Sequence, residues 1–156
     1  MATKTRNDLE FEVIYSIHLE RMMYTLLGRL DRFSSFSQIL LGATVVTNLA
    51  PTAVGLSVAA IAAAQLVWQP GVKATEAKAS HDRWQALRIG IGKRSLDEIE
   101  AQIAQVCDRD GTVLGSLKLP AHLAAAVQMG LDISDFPKIP RWQRLVAFCS
   151  GGIPVT

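Results

Sequence analysis

From Phe33 to Val72 the chain runs for forty residues without an Asp, Glu, Lys or Arg. No other feature limits its folding choices as much. A stretch of that length must be surrounded by lipid or by packed protein, because its side chains give water little to solvate. Asn48-Leu-Ala-Pro51 is the one strong turn signal inside it. That turn divides the stretch into two arms, 34–50 and 52–69, with 17 and 18 residues. As helices they reach about 26 Å each, slightly short of a hydrocarbon core of about 30 Å. The expectation is a long antiparallel helical hairpin, read as a two-span membrane hairpin in an all-α chain.

The charge outside the stretch orients it. Arg21, Arg29 and Arg32 precede it, Lys73, Lys78, Arg83, Arg88, Lys93 and Arg94 follow it, and the turn carries none. Under the positive-inside rule both termini are cytoplasmic and the hairpin enters the inner membrane from that side. Phe33, Phe36 and Trp68 then share the cytoplasmic interface, where aromatic side chains concentrate. Residues 1–32 carry ten charged groups and no small-residue cleavage site, which is not the pattern of a signal peptide. The net charge of +2 is too small to argue for a nucleic-acid partner. Cys107 and Cys149 form no CxxC pair and suit a reducing compartment, where each is expected to be a small packed apolar residue.

Within the arms the polar and small residues fall on stripes. Ser37, Thr44 and Asn48 lie within about 40° of one another on a helix, with Ser34 nearby. On a spanning helix that stripe faces protein or water, so it forms inter-helix hydrogen bonds or lines a pore in an oligomer. In the second arm Gly55, Ala59 and Ala62 make a small-residue face for close helix packing. The apolar side chains of the first arm contribute about 2–4 kcal/mol to insertion, and its hydroxyl and amide residues offset much of that. Self-association therefore matters to the membrane reading. The alternative is a soluble, cytoplasmic all-α oligomeric interaction protein with the hairpin as its oligomer core. Against it, a soluble core helix normally keeps a charged face, and neither arm has one.

A helix is expected over residues 7–32, continuing to about Asn48. After Gln69-Pro70-Gly71, a polar helix runs to about Ile89 with Ala74, Ala77, Trp84 and Leu87 as its apolar stripe. His81 and Trp84 are its candidate contacts with the lead-in helix, His81 by a hydrogen bond to a residue such as Glu20. Ser95-Leu-Asp-Glu98 is a capping box opening a helix with Ile99, Ile103 and Val106 inward. Pro120 is expected to open a helix ended by Gly130, and Pro140 another ended by Gly151. The segment 112–119 reads equally as loop or short strand. The organisation is thus a hairpin with flanking helices over 1–94 and a small helical region over 95–156.

Three features together resemble the SLATT domain family, small two-helix membrane effectors of bacterial conflict systems. They are His18-Leu-Glu-Arg21 in the lead-in helix, the charge-free hairpin turning at 48–51, and Ala77-Lys-Ala-Ser-His81-Asp-Arg-Trp84-Gln-Ala-Leu87 in the exit helix. The match covers about half the chain, from about Tyr15 to Lys93, and the last sixty residues depart from it. The resemblance implies a membrane-embedded, self-associating hairpin that perturbs the inner membrane in a phage–host conflict or defence setting. It also implies a trigger sensed by a partner protein or a fused domain. Separately from the resemblance, the C-terminal helices are the expected contact for such a partner. A lysis hairpin of the holin type shares the topology but lacks so long a C-terminal region.

Catalytic signatures do not emerge. Gly90-Ile-Gly-Lys-Arg-Ser95 resembles the end of a phosphate-binding loop, yet Leu87 stands where its first Gly belongs and Arg94 where Ser or Thr belongs. It reads as a basic linker. Asp108-Arg-Asp110-Gly111 lacks the remaining oxygen ligands of a calcium loop. His18, His81 and His122 have no metal-ligand spacing. The expectation is a non-enzymatic protein with no cofactor or metal, whose partners are itself and the lipid bilayer.

Overall fold

A computed structural model describes residues 4–46, 51–107, 113–134, 136–137 and 139–152. The chain is all-α, and no strand forms among the described residues. The helices are α1 (Arg6–Val46), α2 (Pro51–Trp68), α3 (Pro70–Gly90), α4 (Leu96–Cys107), α5 (Gly115–Gln128) and α6 (Arg141–Cys149), with a short 3-10 turn at Ile91–Lys93.

α1 is a single 41-residue helix because no Pro or turn residue interrupts it where its charged half meets its uncharged half. α2 and α3 pack back along it, and four residue pairs give the direction. Arg6 donates from Nη2 to the carbonyls of Ile91 and Arg94 at 3.1 and 2.7 Å. The rings of Tyr24 and His81 meet at 5.5 Å between centroids. A Cβ placed on Gly71 would lie 3.1 Å from the Asp31 carboxylate. Gln38 bonds Gln65 at 2.8 Å. As the number rises on α1 it falls on the partner, so the pairing is antiparallel. Of the expected turn at 48–51, only the backbone of Pro51 lies within the described residues.

Gln69 separates α2 from α3 in a left-handed conformation, φ 46° and ψ 54°. Pro70 disfavours the right-handed helical region for the residue before it, and Gln69 takes the strained alternative at a cost of about 1–2 kcal/mol. Helical hydrogen bonds resume on either side, from Gln69 N–H to the Gln65 carbonyl and from Lys73 N–H to the Gln69 carbonyl. The result is a local bend between two helices, not an open loop.

The core lies at one end of the molecule. Leu9, Val13 and Ile17 of α1 pack with Trp84 and Leu87 of α3, Ile91, and Ile99 and Ile103 of α4. Beside them Leu19, Met22, Met23 and Leu27 pack with Ala77 and with Leu117 and Ala121 of α5. Between Leu27 and Ala77 no described residue is buried. The protein is therefore a packed helical head from which two uncovered arms extend.

The capping box forms as expected: Ser95 N–H donates to Glu98 Oε2 at 2.9 Å and Glu98 N–H to Ser95 Oγ at 3.4 Å. α5 differs from expectation. It begins at Gly115, so Pro120 lies inside the helix instead of opening it. The missing N–H costs one helical hydrogen bond, and the fully buried Leu117 and Ala121 on either side require the helix to continue through it. Gly130 and Gly151 follow α5 and α6 with φ of 70° and 75°, left-handed positions that glycine fills without strain.

Candidate functional site

The arms form the more distinctive site. Taken through the Gln69 bend, Thr52–Lys93 is long and apolar enough to cross a membrane, and none of its apolar window is buried. It is the one such helix among the described residues. The first expected span, 34–50, ends outside them at residues 47–50. Large apolar side chains stand uncovered along both arms: Phe33, Phe36, Ile39 and Leu40 on α1, and Leu56, Leu66, Val67 and Trp68 on α2. Contiguous exposure on this scale is unusual for a protein surrounded by water.

The side chains facing between the arms differ from the predicted stripes. On α1 the half-buried positions are Ser34, Ser37, Gln38 and Leu41; on α2 they are Val54, Val58, Ile61 and Gln65. Ser37 therefore belongs to the α1–α2 contact. The side chain of Thr44 and the whole of Asn48, the other two expected pore-lining residues, lie outside the described residues. Gly55, Ala59 and Ala62 are exposed on the outer side of α2, and nothing lies within 4 Å of a Cβ placed on Gly55. The β-branched Val54, Val58 and Ile61 face α1 in their place. Gln65, which sequence reasoning passed over, is the acceptor for Gln38. The available signal was that two lone amides stand at similar heights on opposite arms.

The second site is a cation-rich cleft of about 390 Å³ in the head, lined by His18, Arg21 and Tyr24 of α1, His81 and Arg88 of α3, and Gln128 of α5. Gln128 satisfies two neighbours in one orientation: its nitrogen donates to His18 Nε2 at 2.7 Å, and its oxygen accepts from Arg88 at 2.7 and 3.2 Å. Burial, joined by the charges of Arg21 and Arg88 and the nearby His81, pushes His18 below the ordinary histidine range. His81 stands edge-on to Tyr24 of α1, and its Nδ1 lies 3.2 Å from the Asp82 carboxylate of its own helix. Trp84, the other expected contact, is fully buried in the core. His122 packs among Phe11, Tyr15 and Phe136, at ring distances of 4.8, 5.9 and 5.3 Å.

No group of three or more metal-ligating side chains gathers among the described residues. Both cysteines are exposed and neither is in a disulfide, which corrects their reading as packed residues. α4 and α6 end at Cys107 and Cys149. Comparison with protein-family models, curated proteins and solved structures gives no match.

Proposed function

We propose that this chain is a non-enzymatic membrane protein. Its uncharged arms insert into a bilayer from the cytoplasmic side, self-associate, and perturb that membrane. The observation that carries the reading is the division of the molecule. Among the described residues every buried one lies in the head, while the apolar part of Thr52–Lys93 has none. The boundary between the two parts has the chemistry of an interface. Phe33, Phe36 and Trp68 are each more than 60% exposed at the base of the arms. Arg29, Arg32 and Lys73 stand exposed on the head side of that base. Aromatic rings at headgroup level and cations on the cytoplasmic side are what a spanning segment needs there. The outward Gly55–Ala59–Ala62 face offers a second copy a close backbone approach.

The test is expression followed by an alkaline carbonate wash of the membranes, with dye leakage measured separately on intact cells during expression. Retention in the membrane pellet together with leakage supports the proposal. A monodisperse protein in the soluble fraction would overturn it and favour the oligomer-core alternative. Retention without leakage would leave an anchor and remove the perturbing activity.

A further inference from the structure

α6 has its apolar side on the outside. Ala147 and Ser150 are buried and Gln143 and Val146 half-buried against the head, whereas Trp142, Leu145 and Phe148 are 57%, 64% and 67% exposed. Arg141 and Arg144 are exposed beside them. A surface helix would ordinarily present the opposite arrangement, with apolar residues inward and charge outward.

The location of α6 accounts for that arrangement. Arg29 Nη1 donates to the Cys149 carbonyl at 2.7 Å and so ties the C-terminal end of α6 to α1. A Cβ placed on Gly151 would lie 3.6 Å from Thr25 Cγ2, and one on Gly152 2.8 Å from Met22 Cε. Arg29 is one helical turn before Phe33, about 6 Å along the axis. The end of α6 is thus held next to the level at which the charge-free arms begin.

We infer that α6 is a second, peripheral membrane contact: an amphipathic helix lying in the headgroup region of an anionic leaflet, beside the base of the arms. Trp142, Leu145 and Phe148 enter the acyl boundary, and Arg141 and Arg144 pair with anionic headgroups. A short helix with aromatic and aliphatic residues on one face and arginines at its margin has the chemistry of an interfacial anchor. Anionic lipid in the cytoplasmic leaflet attracts such cations electrostatically. The inference rests on the insertion reading, because the inserted arms bring α6 to the surface. It would also fix the angle of the head over the membrane, since the α6 contact lies to one side of α1.

The two exposed cysteines permit a direct test. The full chain with Cys107→Ser carries an environment-sensitive fluorophore on Cys149 and is reconstituted into vesicles of mixed phosphatidylglycerol and phosphatidylcholine containing spin-labelled quencher lipid. The control carries Cys149→Ser and the fluorophore on Cys107. That residue lies near Lys4, at the opposite end of α1, about 40 Å from Phe33. The expected result is severalfold stronger quenching at Cys149 than at Cys107, rising with the phosphatidylglycerol fraction. Arg141→Gln with Arg144→Gln should remove the lipid-charge dependence, and Leu145→Gln with Phe148→Gln should remove the quenching. All four side chains are exposed, and circular dichroism checks that the variants stay folded. Equal quenching at the two cysteines in a carbonate-resistant protein would overturn the α6 contact and leave insertion standing. Cys149 shielding that vanishes on dilution of the protein and ignores lipid charge would assign the face to a second copy. Extraction by carbonate would remove both readings.

Discussion

The side-chain amide of Gln38 donates to Gln65 Oε1 at 2.8 Å, joining α1 to α2 about 8 Å above the base of the arms. Each glutamine alone would leave a polar group in apolar surroundings, and the pair satisfies one with the other. It also ties the two arms together at that height, Gln38 on α1 to Gln65 on α2. A hydrogen bond between membrane helices is worth about 0.6–1.7 kcal/mol in double-mutant cycles. Gln38→Leu and Gln65→Leu should each weaken the α1–α2 pairing, and the double variant should recover much of the loss. The measurement is a double-mutant cycle by denaturant titration in detergent micelles. Additive single effects would mean the amides do not cooperate.

Trp84 and Trp68 separate the stability of the head from the environment of the arms. Trp84 is fully buried and Trp68 is 71% exposed. Replacing Trp84 by Ala should destabilise the head by about 3–5 kcal/mol, as for other buried aromatic residues. Trp68→Ala should leave head unfolding nearly unchanged and weaken membrane association. Thermal unfolding followed by far-ultraviolet circular dichroism distinguishes the two.

Gln69 holds the one positive φ among the described non-glycine residues. Gly at that position should stabilise the α2–α3 junction by about 1 kcal/mol, since it occupies the left-handed region without a Cβ penalty. Val should destabilise it by at least as much, because a branched Cβ fits that region worst. A melting temperature that falls with Gly and rises with Val would contradict the strain assigned to the bend.

Helix positions were legible in the sequence wherever local chemistry decides them. The absence of breakers lets α1 run unbroken through residue 46, and Pro70, the Ser95–Glu98 box, Gly130 and Pro140 each mark an observed boundary to within a residue or two. The start of α5 was not legible, because burial of Leu117 keeps Pro120 inside a helix that local preference would begin later. The inward faces of the arms were hidden for a different reason. A stripe on one helix does not say which way the helix is turned, and the α1–α2 contact places the valines of α2 inward and its small residues outward. The His18–Gln128–Arg88 grouping joins three helices far apart in sequence, so no spacing rule could reveal it.

His18 gives a pH dependence with a defined sign. Burial and the neighbouring positive charges lower its folded-state value from the ordinary 6.5. Above pH 6.5 the histidine is neutral whether the chain is folded or unfolded, and that protection against charging is fully present. As the pH falls below 6.5 the unfolded chain takes up the proton more readily, and stability declines until the folded-state value is passed. The melting temperature of the head should therefore drop less between pH 7 and pH 5 in His18→Gln than in the parent chain. An equal drop would mean that other groups set the acid sensitivity.

The central claim is that the uncovered arms lie in lipid, and thiol accessibility tests it most directly. In a chain carrying Cys107→Ser and Cys149→Ser, single cysteines replace Leu56 and Leu66 on α2, which are 74% and 75% exposed, and Asp97 on α4, also exposed. Intact inverted membrane vesicles, cytoplasmic face outward, are treated with a membrane-impermeant maleimide before and after solubilisation in denaturant. The account predicts that Cys at 97 reacts in intact vesicles, whereas Cys at 56 and 66 react only after solubilisation. Reaction at 56 and 66 as fast as at 97, with the membrane still intact, would contradict it.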